Sequence, residues 1–231
     1  FWDQNGCLSS RVHFVERPAP GDPSPFEYAD KLTEKLRLLS TVLPRGAWPR
    51  RVLRDTYDRY KALEGYGRLQ TGLVVFSSYE DDFVVILDDR PERYWRDRTA
   101  LAALVNDCRG RVIIVRPVDK LADVPNIYLR HLPKTMLQSI SVAIGDPGSG
   151  LNRRFLRFAK ACGACGVTAL RVVGRGAFPQ LAYSWDGFLP LDVARLRPPG
   201  YFTTIEFDDP FRALIDTYQD VTKFLQIKPP S

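Results

Sequence analysis

The sequence predicts an α/β chain with a mostly parallel sheet flanked by helices. Three observations carry this. Short β-branched runs alternate with amphipathic stretches of helical period, the order that favours parallel strands joined by helical crossovers. The composition, 45% hydrophobic and 26% charged over 231 residues, is globular and allows one large domain or two small ones. The longest apolar runs, 72–76 and 83–87, fall far short of the roughly 20 residues a membrane helix needs.

The opening Phe1-Trp2-Asp3-Gln4-Asn5 reads as mid-protein sequence with no secretory leader. A fragment or processed chain is therefore expected. Residues 11–15 are strand-like, and the proline-rich stretch 17–25 is a stiff connector. Over 26–43 the spacing of Tyr28, Ala29, Leu32, Leu36, Leu39, Val42 and Leu43 predicts a helix with one core face, stopped by Pro44 and Gly46. A second helix starts at Pro49 and runs to about residue 63, before Gly65 and Gly67. Strands are predicted at 72–78 and 83–87, around the turn Tyr79-Glu80-Asp81-Asp82. A short helix near 99–107 precedes a strand at 112–116, and a further strand covers 137–144. The glycine-rich turn 145–150 then leads into a helix over 151–161 and a strand over 167–173. That turn has the context of a phosphate cradle but matches neither glycine fingerprint of nucleotide sites, so a plain turn is expected. Residues 210–225 read as an amphipathic helix, and no internal repeat occurs.

The net charge is +6, with arginines grouped at Arg45, Arg50, Arg51, Arg54 and Arg59, and at Arg153, Arg154 and Arg157. A basic face suits nucleic acid or an anionic ligand such as a nucleotide or a coenzyme A phosphate. Without interleaved aromatics the reading is a solvated surface and no nucleic-acid partner. Four cysteines, Cys7, Cys108, Cys162 and Cys165, are too few for a disulfide scaffold and point to a reducing, cytoplasmic setting. Cys162-Gly163-Ala164-Cys165 has CxxC spacing, but the only histidines are His13 and His131, so no metal site is expected. The pair ends a helical pattern ahead of a strand, the reverse of a redox motif, which predicts a structural role.

The segment Asp3-Gln4-Asn5-Gly6-Cys7-Leu8-Ser9-Ser10 carries the chemistry. A thiolate nucleophile needs an approachable sulfur and nearby backbone N–H donors, and the Asn5-Gly6 turn leaves the backbone open. On the residues alone, a small buried apolar thiol is the commoner fate of a free cysteine, and both readings stand.

This segment resembles the nucleophile region of acyl-CoA reductases of the LuxC type, members of the aldehyde dehydrogenase superfamily. Further resemblances follow in order: Leu137-Gln138-Ser139-Ile140-Ser141-Val142, Cys165-Gly166-Val167-Thr168-Ala169-Leu170-Arg171, and Asp186-Gly187-Phe188-Leu189-Pro190-Leu191 with Arg195. The sequence departs from the family pattern at Trp185, Leu196, Ser139 and Ser141. No match to the superfamily's nicotinamide-ribose glutamate is found near Asp107-Cys108-Arg109-Gly110-Arg111-Val112.

The resemblance implies an aldehyde-dehydrogenase-like catalytic domain over residues 1–231, with the NAD(P)-binding domain lying upstream of this chain. It implies that Cys7 attacks the thioester of an acyl-CoA or acyl-protein, that coenzyme A leaves, and that NADPH reduces the acyl-enzyme to a long-chain aldehyde. The Cys7 backbone N–H would be an oxyanion donor. Asn5, Trp185 and Phe188 are the expected substrate contacts, on the expectation that the apolar loop 178–196 lines the acyl pocket; the alternative is a core or subunit interface. No cofactor-binding residue is assigned, and a homo-oligomer is expected. Two other functions stay open: a CoA-acylating aldehyde dehydrogenase, and a non-enzymatic binding module that retains the fold. With the upstream half missing, the chain alone is expected not to reduce acyl-CoA with NADPH, although Cys7 keeps some thiol reactivity, and residues 1–16 are expected to be poorly anchored or held by a second copy.

Overall fold

The computed structural model describes residues 10–46, 49–66, 72–96, 110–132, 137–143, 153–173 and 204–205. The chain divides into two compact units, Phe1–Leu132 and Pro133–Ser231.

In the first unit the elements follow as β1 (Val12–Glu16), α1 (Pro25–Val42), α2 (Arg50–Tyr66), β2 (Leu73–Val75), β3 (Val84–Asp88), α3 (Arg93–Arg96), β4 (Val112–Val118) and α4 (Val124–Ile127). Single 3-10 turns flank α4 at Leu121–Asp123 and Leu129–His131. The four strands form one sheet in the order β1-β4-β3-β2. β1, β4 and β3 run parallel, and β2 closes the far edge antiparallel to β3.

α1 forms where its signals say it should. Ser24 and Glu27 make a reciprocal capping box, Pro25 occupies the first turn, and the Leu43 N–H closes on the Leu39 carbonyl at 2.8 Å before Pro44. Its core face meets one face of the sheet. Ala29 packs with Phe83, Val85, Leu87 and Val115, and Leu32, Leu36 and Val15 close around them. The register pairs Phe14 with Arg116, and Ile86 with Ile114. These residues alternate with the α1-facing set and so lie on the opposite face. There Trp95 of α3 and Tyr128 after α4 cover Phe14, with ring centroids 6.3 and 5.1 Å away.

β2 and β3 pair as a hairpin around the 79–82 turn, as expected, but β2 spans three residues rather than 72–78. The ladder ends because the Ser77 hydroxyl, at 2.8 Å, takes the Val85 N–H in place of a main-chain carbonyl. α2 lies along β2. Glu64 Oε1 accepts the Val75 N–H (3.2 Å) and Lys61 Nζ donates to the Val75 carbonyl (3.3 Å). Gly72, at φ 57°, enters β2 so tightly that a Cβ there would lie 2.9 Å from the Asp89 carbonyl oxygen.

The second unit contains β5 (Ser139–Val142), α5 (Arg153–Cys165), β6 (Ala169–Val172) and β7 (Thr204–Ile205), with a parallel sheet in the order β5-β6-β7. α5 ends in a Schellman turn. The Val167 N–H bonds to the Cys162 carbonyl (3.1 Å), the Gly166 N–H bonds to the Gly163 carbonyl (2.9 Å), and Gly166 has φ 103°.

One expectation is corrected. Within residues 1–16, the stretch Val12–Glu16 is anchored: it pairs with β4 along its whole length and packs on both faces. The expected helices near 99–107 and 210–225, the turn 145–150 and the loop 178–196 lie outside the described residues.

Candidate active site

Cys7, Asn5, Trp185 and Phe188 also lie outside the described residues. Arg11, four positions after Cys7 in the sequence, is described. The Arg11 carbonyl accepts the Ile114 N–H at 3.0 Å, which starts the β1–β4 ladder. Arg11 thus marks the amino edge of the three parallel strands.

That edge is built by a corner. Gly110 and Arg111 are both in the left-handed region, at φ 68° and 76°, just before β4. The Arg111 carbonyl accepts the Val84 N–H (2.9 Å), which starts β3 beside β4. Arg111 Nη2 donates to the carbonyls of Leu43 and Pro44 at 3.0 and 3.1 Å, where α1 ends. A cation suits the negative end of the helix dipole.

His13 is the titratable group nearest to the Cys7 segment in β1. Its Nδ1 lies 2.8 Å from the Tyr28 hydroxyl of α1. Burial without a carboxylate lowers its pKa to about 4, so the ring is neutral at pH 7. Burial raises the Tyr28 phenol, which therefore keeps its proton.

At the other end of the strands sits a buried guanidinium that the sequence analysis passed over. Arg116, 3% exposed, donates through Nη1 to the Asp88 and Arg90 carbonyls (2.8 and 2.6 Å) and through Nε to the Tyr128 hydroxyl (3.2 Å). It lies 5.1 Å from the Trp95 ring centroid and 5.6 Å from that of Tyr128. The carboxylate of Asp88 is held by Arg90 instead, at 2.6 Å. Arg116 thereby ties down the segments that leave β3 and β4. The available signal was an arginine in an otherwise apolar strand, Val112-Ile113-Ile114-Val115-Arg116-Pro117-Val118. The Trp95 indole N–H is buried with no hydrogen-bond partner among the described residues.

The basic run before and within α2 is partly neutralised by the acidic hairpin turn. Arg50 pairs with Asp82 at 3.1 Å, Arg54 reaches Glu80 at 4.0 Å and stacks over Tyr79, and Arg37 of α1 pairs with Asp81 at 3.0 Å. Cys162 and Cys165 both lie in the last turns of α5 as free thiols, and Cys162 is fully buried. Burial pushes its pKa up to about 12, so it is not a nucleophile at neutral pH.

Among the described residues no group of three or more His, Cys, Asp or Glu is placed to hold a metal ion. At the start of α1, which follows the parallel strand β1, the Glu27 carboxylate is folded back on the first turn, with Oε2 2.6 Å from the Ser24 N–H, so this helix end already holds an anionic group. No described helix is long and apolar enough to cross a membrane.

A family model for acyl-CoA reductase (LuxC) matches residues 1–196. No curated protein and no solved structure matches the chain.

Proposed function

Because the chain belongs to the acyl-CoA reductase (LuxC) family, we propose that it is the nucleophile-bearing part of a thioester reductase that forms an acyl-enzyme on Cys7. The observation that carries this is the match over residues 1–196, which includes the Asp3-Gln4-Asn5-Gly6-Cys7-Leu8-Ser9-Ser10 segment. In the proposed step the Cys7 thiolate attacks the thioester carbonyl, the carbon–sulfur bond to coenzyme A breaks, and coenzyme A leaves as a thiolate. Backbone N–H groups of the segment hold the oxyanion. Asn5, Trp185 and Phe188 are the proposed acyl contacts, and a long-chain acyl-CoA or acyl-protein is the proposed donor to a homo-oligomer. NADPH is the proposed hydride source of the overall reaction.

Among the described cysteines, Cys162 is a weak competitor, because it is buried with a raised pKa. Incubation with radiolabelled palmitoyl-CoA, followed by peptide mapping, should place one acyl group on Cys7. Cys7→Ser should lower labelling at least 100-fold, because an unactivated hydroxyl is a far weaker nucleophile. Labelling of Cys7→Ser at the wild-type rate would refute the assignment.

A further inference from the structure

We propose that the first unit binds a small carboxylate anion at the carboxyl ends of β3 and β4, between the Arg116 guanidinium and the Trp95 indole N–H. The inference does not depend on the acyl-enzyme reading. Charge supplies the first argument. Arg116 and Asp88 are both buried, but the Asp88 carboxylate is taken by Arg90, through Nε at 2.9 Å and Nη2 at 2.6 Å. The hydrogen bonds of Arg116 go to two carbonyls and a phenol, all neutral. Among the described residues no carboxylate pairs with it. A buried charge is costly unless an opposite charge meets it. The faces of the Trp95 and Tyr128 rings offset only part of that cost.

The second argument is a set of unused donors. Nη1 and Nε of Arg116 are engaged, while Nη2 makes no hydrogen bond to a described residue. Trp95 is 1% exposed, and its indole N–H has no partner among the described residues. The Tyr128 hydroxyl accepts from Arg116 Nε, and burial raises its pKa, so it keeps a proton to donate. These groups lie together. The guanidinium carbon is 5.1 Å from the Trp95 ring centroid and 5.6 Å from that of Tyr128, and the two rings are 5.6 Å apart. The cluster therefore offers donors and one surplus positive charge. A water molecule would satisfy an N–H but leave the charge unmet. A monocarboxylate answers both, with an oxygen for each donor. A dianionic phosphate would exceed the single charge.

The topology gives the third argument. α1, which follows β1, covers one face of the sheet, whereas Trp95 of α3 and Tyr128 beyond α4 cover Phe14 on the other. The connections leaving the neighbouring strands β1 and β4 thus diverge to opposite faces. In open α/β sheets, ligands bind outside the carboxyl ends of the strands at such a divergence. Arg116, in register with Phe14 of β1, stands on that line.

The measurement is the thermal midpoint of the full chain against formate concentration, with methanesulfonate replacing formate at constant ionic strength. The midpoint should rise with formate in the way mass action at a single site requires. Trp95→Phe keeps a ring against Arg116 and removes only an N–H that has no partner to lose. Its formate-free midpoint should stay within a few degrees of wild type, while its half-saturating formate concentration should rise about fivefold or more. Arg116→Met should abolish the formate response, and if that variant does not fold, Trp95→Phe alone decides. A wild-type midpoint that formate leaves where methanesulfonate does overturns the inference. So does a formate response that Trp95→Phe keeps at full strength, which would mark an adventitious ion only.

Discussion

His13 illustrates how a single side chain on β1 links burial to acid sensitivity. Its ring is partly buried between β1 and α1, with Nδ1 2.8 Å from the Tyr28 hydroxyl, and burial is what disfavours its charged form. Folded His13 takes a proton only near pH 4, against 6.5 for the free side chain. Between those values the unfolded chain binds more protons, so acid favours unfolding. The contribution of His13 is full above about pH 6.5 and lost as pH falls toward about 4, worth up to about 3 kcal/mol. Denaturant unfolding across this range should show the slope in the wild type and a flatter one in His13→Gln. Equal slopes would mean that His13 is protonated in the fold as readily as in the unfolded chain.

At the scale of the element, the β2 edge of the four-stranded sheet is covered by side chains of α2. On β2, Glu64 and Lys61 of α2 occupy both polar groups of the Val75 peptide and are themselves paired at 2.6 Å. This blocks strand addition at that edge. Glu64→Ala should strip the Val75 N–H of its partner and cost about 1–2 kcal/mol in chemical unfolding, with a greater tendency to associate. A loss under a few tenths of a kcal/mol would show that water replaces the carboxylate freely.

The elements that were legible in the sequence are those with local signals. α1 has a capping box and a proline stop, and β4 has an unbroken β-branched run. The ends of β2 were not legible, because a side chain, Ser77, breaks the ladder from across the hairpin. Nor were the short turns around Val124–Ile127, which are too brief to show a period. The partition of the strands into two sheets depends on pairing between distant segments, which no local pattern encodes. The anchorage of β1 was not legible either, because its partner β4 lies far along the sequence and pairs with it through distant residues. Of the candidate site, the Cys7 motif was readable because its chemistry is written in consecutive residues. The corner at Arg111 was not, since a positive φ in an arginine has no signature in sequence.

For the whole molecule, the charge surplus is less open than composition suggests. Arg37, Arg50 and Arg54 face the acidic turn at Glu80, Asp81 and Asp82, and such exposed pairs contribute roughly 0–1 kcal/mol each. Their effect is to keep three cations engaged within the fold. The CxxC pair of the second unit likewise belongs to the end of α5, where the Cys162 carbonyl is part of the Schellman turn.

The parallel pairing of Val12 with Ile114 has a consequence in time as well as in space. Arg17 and Asp119, which meet just past the same ladder at 3.1 Å, are 102 positions apart in sequence. During synthesis the first strand therefore has no partner until β4 has left the ribosome, and closing so long a loop is slow and entropically costly. β1 is set in place late, when the rest of its sheet is complete. Once formed, β1 is released only when that sheet opens. In hydrogen-exchange measurements on the native chain, the β1 amides bonded to β4 should therefore share the opening free energy of β4 itself. Exchange of those amides a hundredfold or more faster than those of β4 would show instead that the first strand detaches on its own.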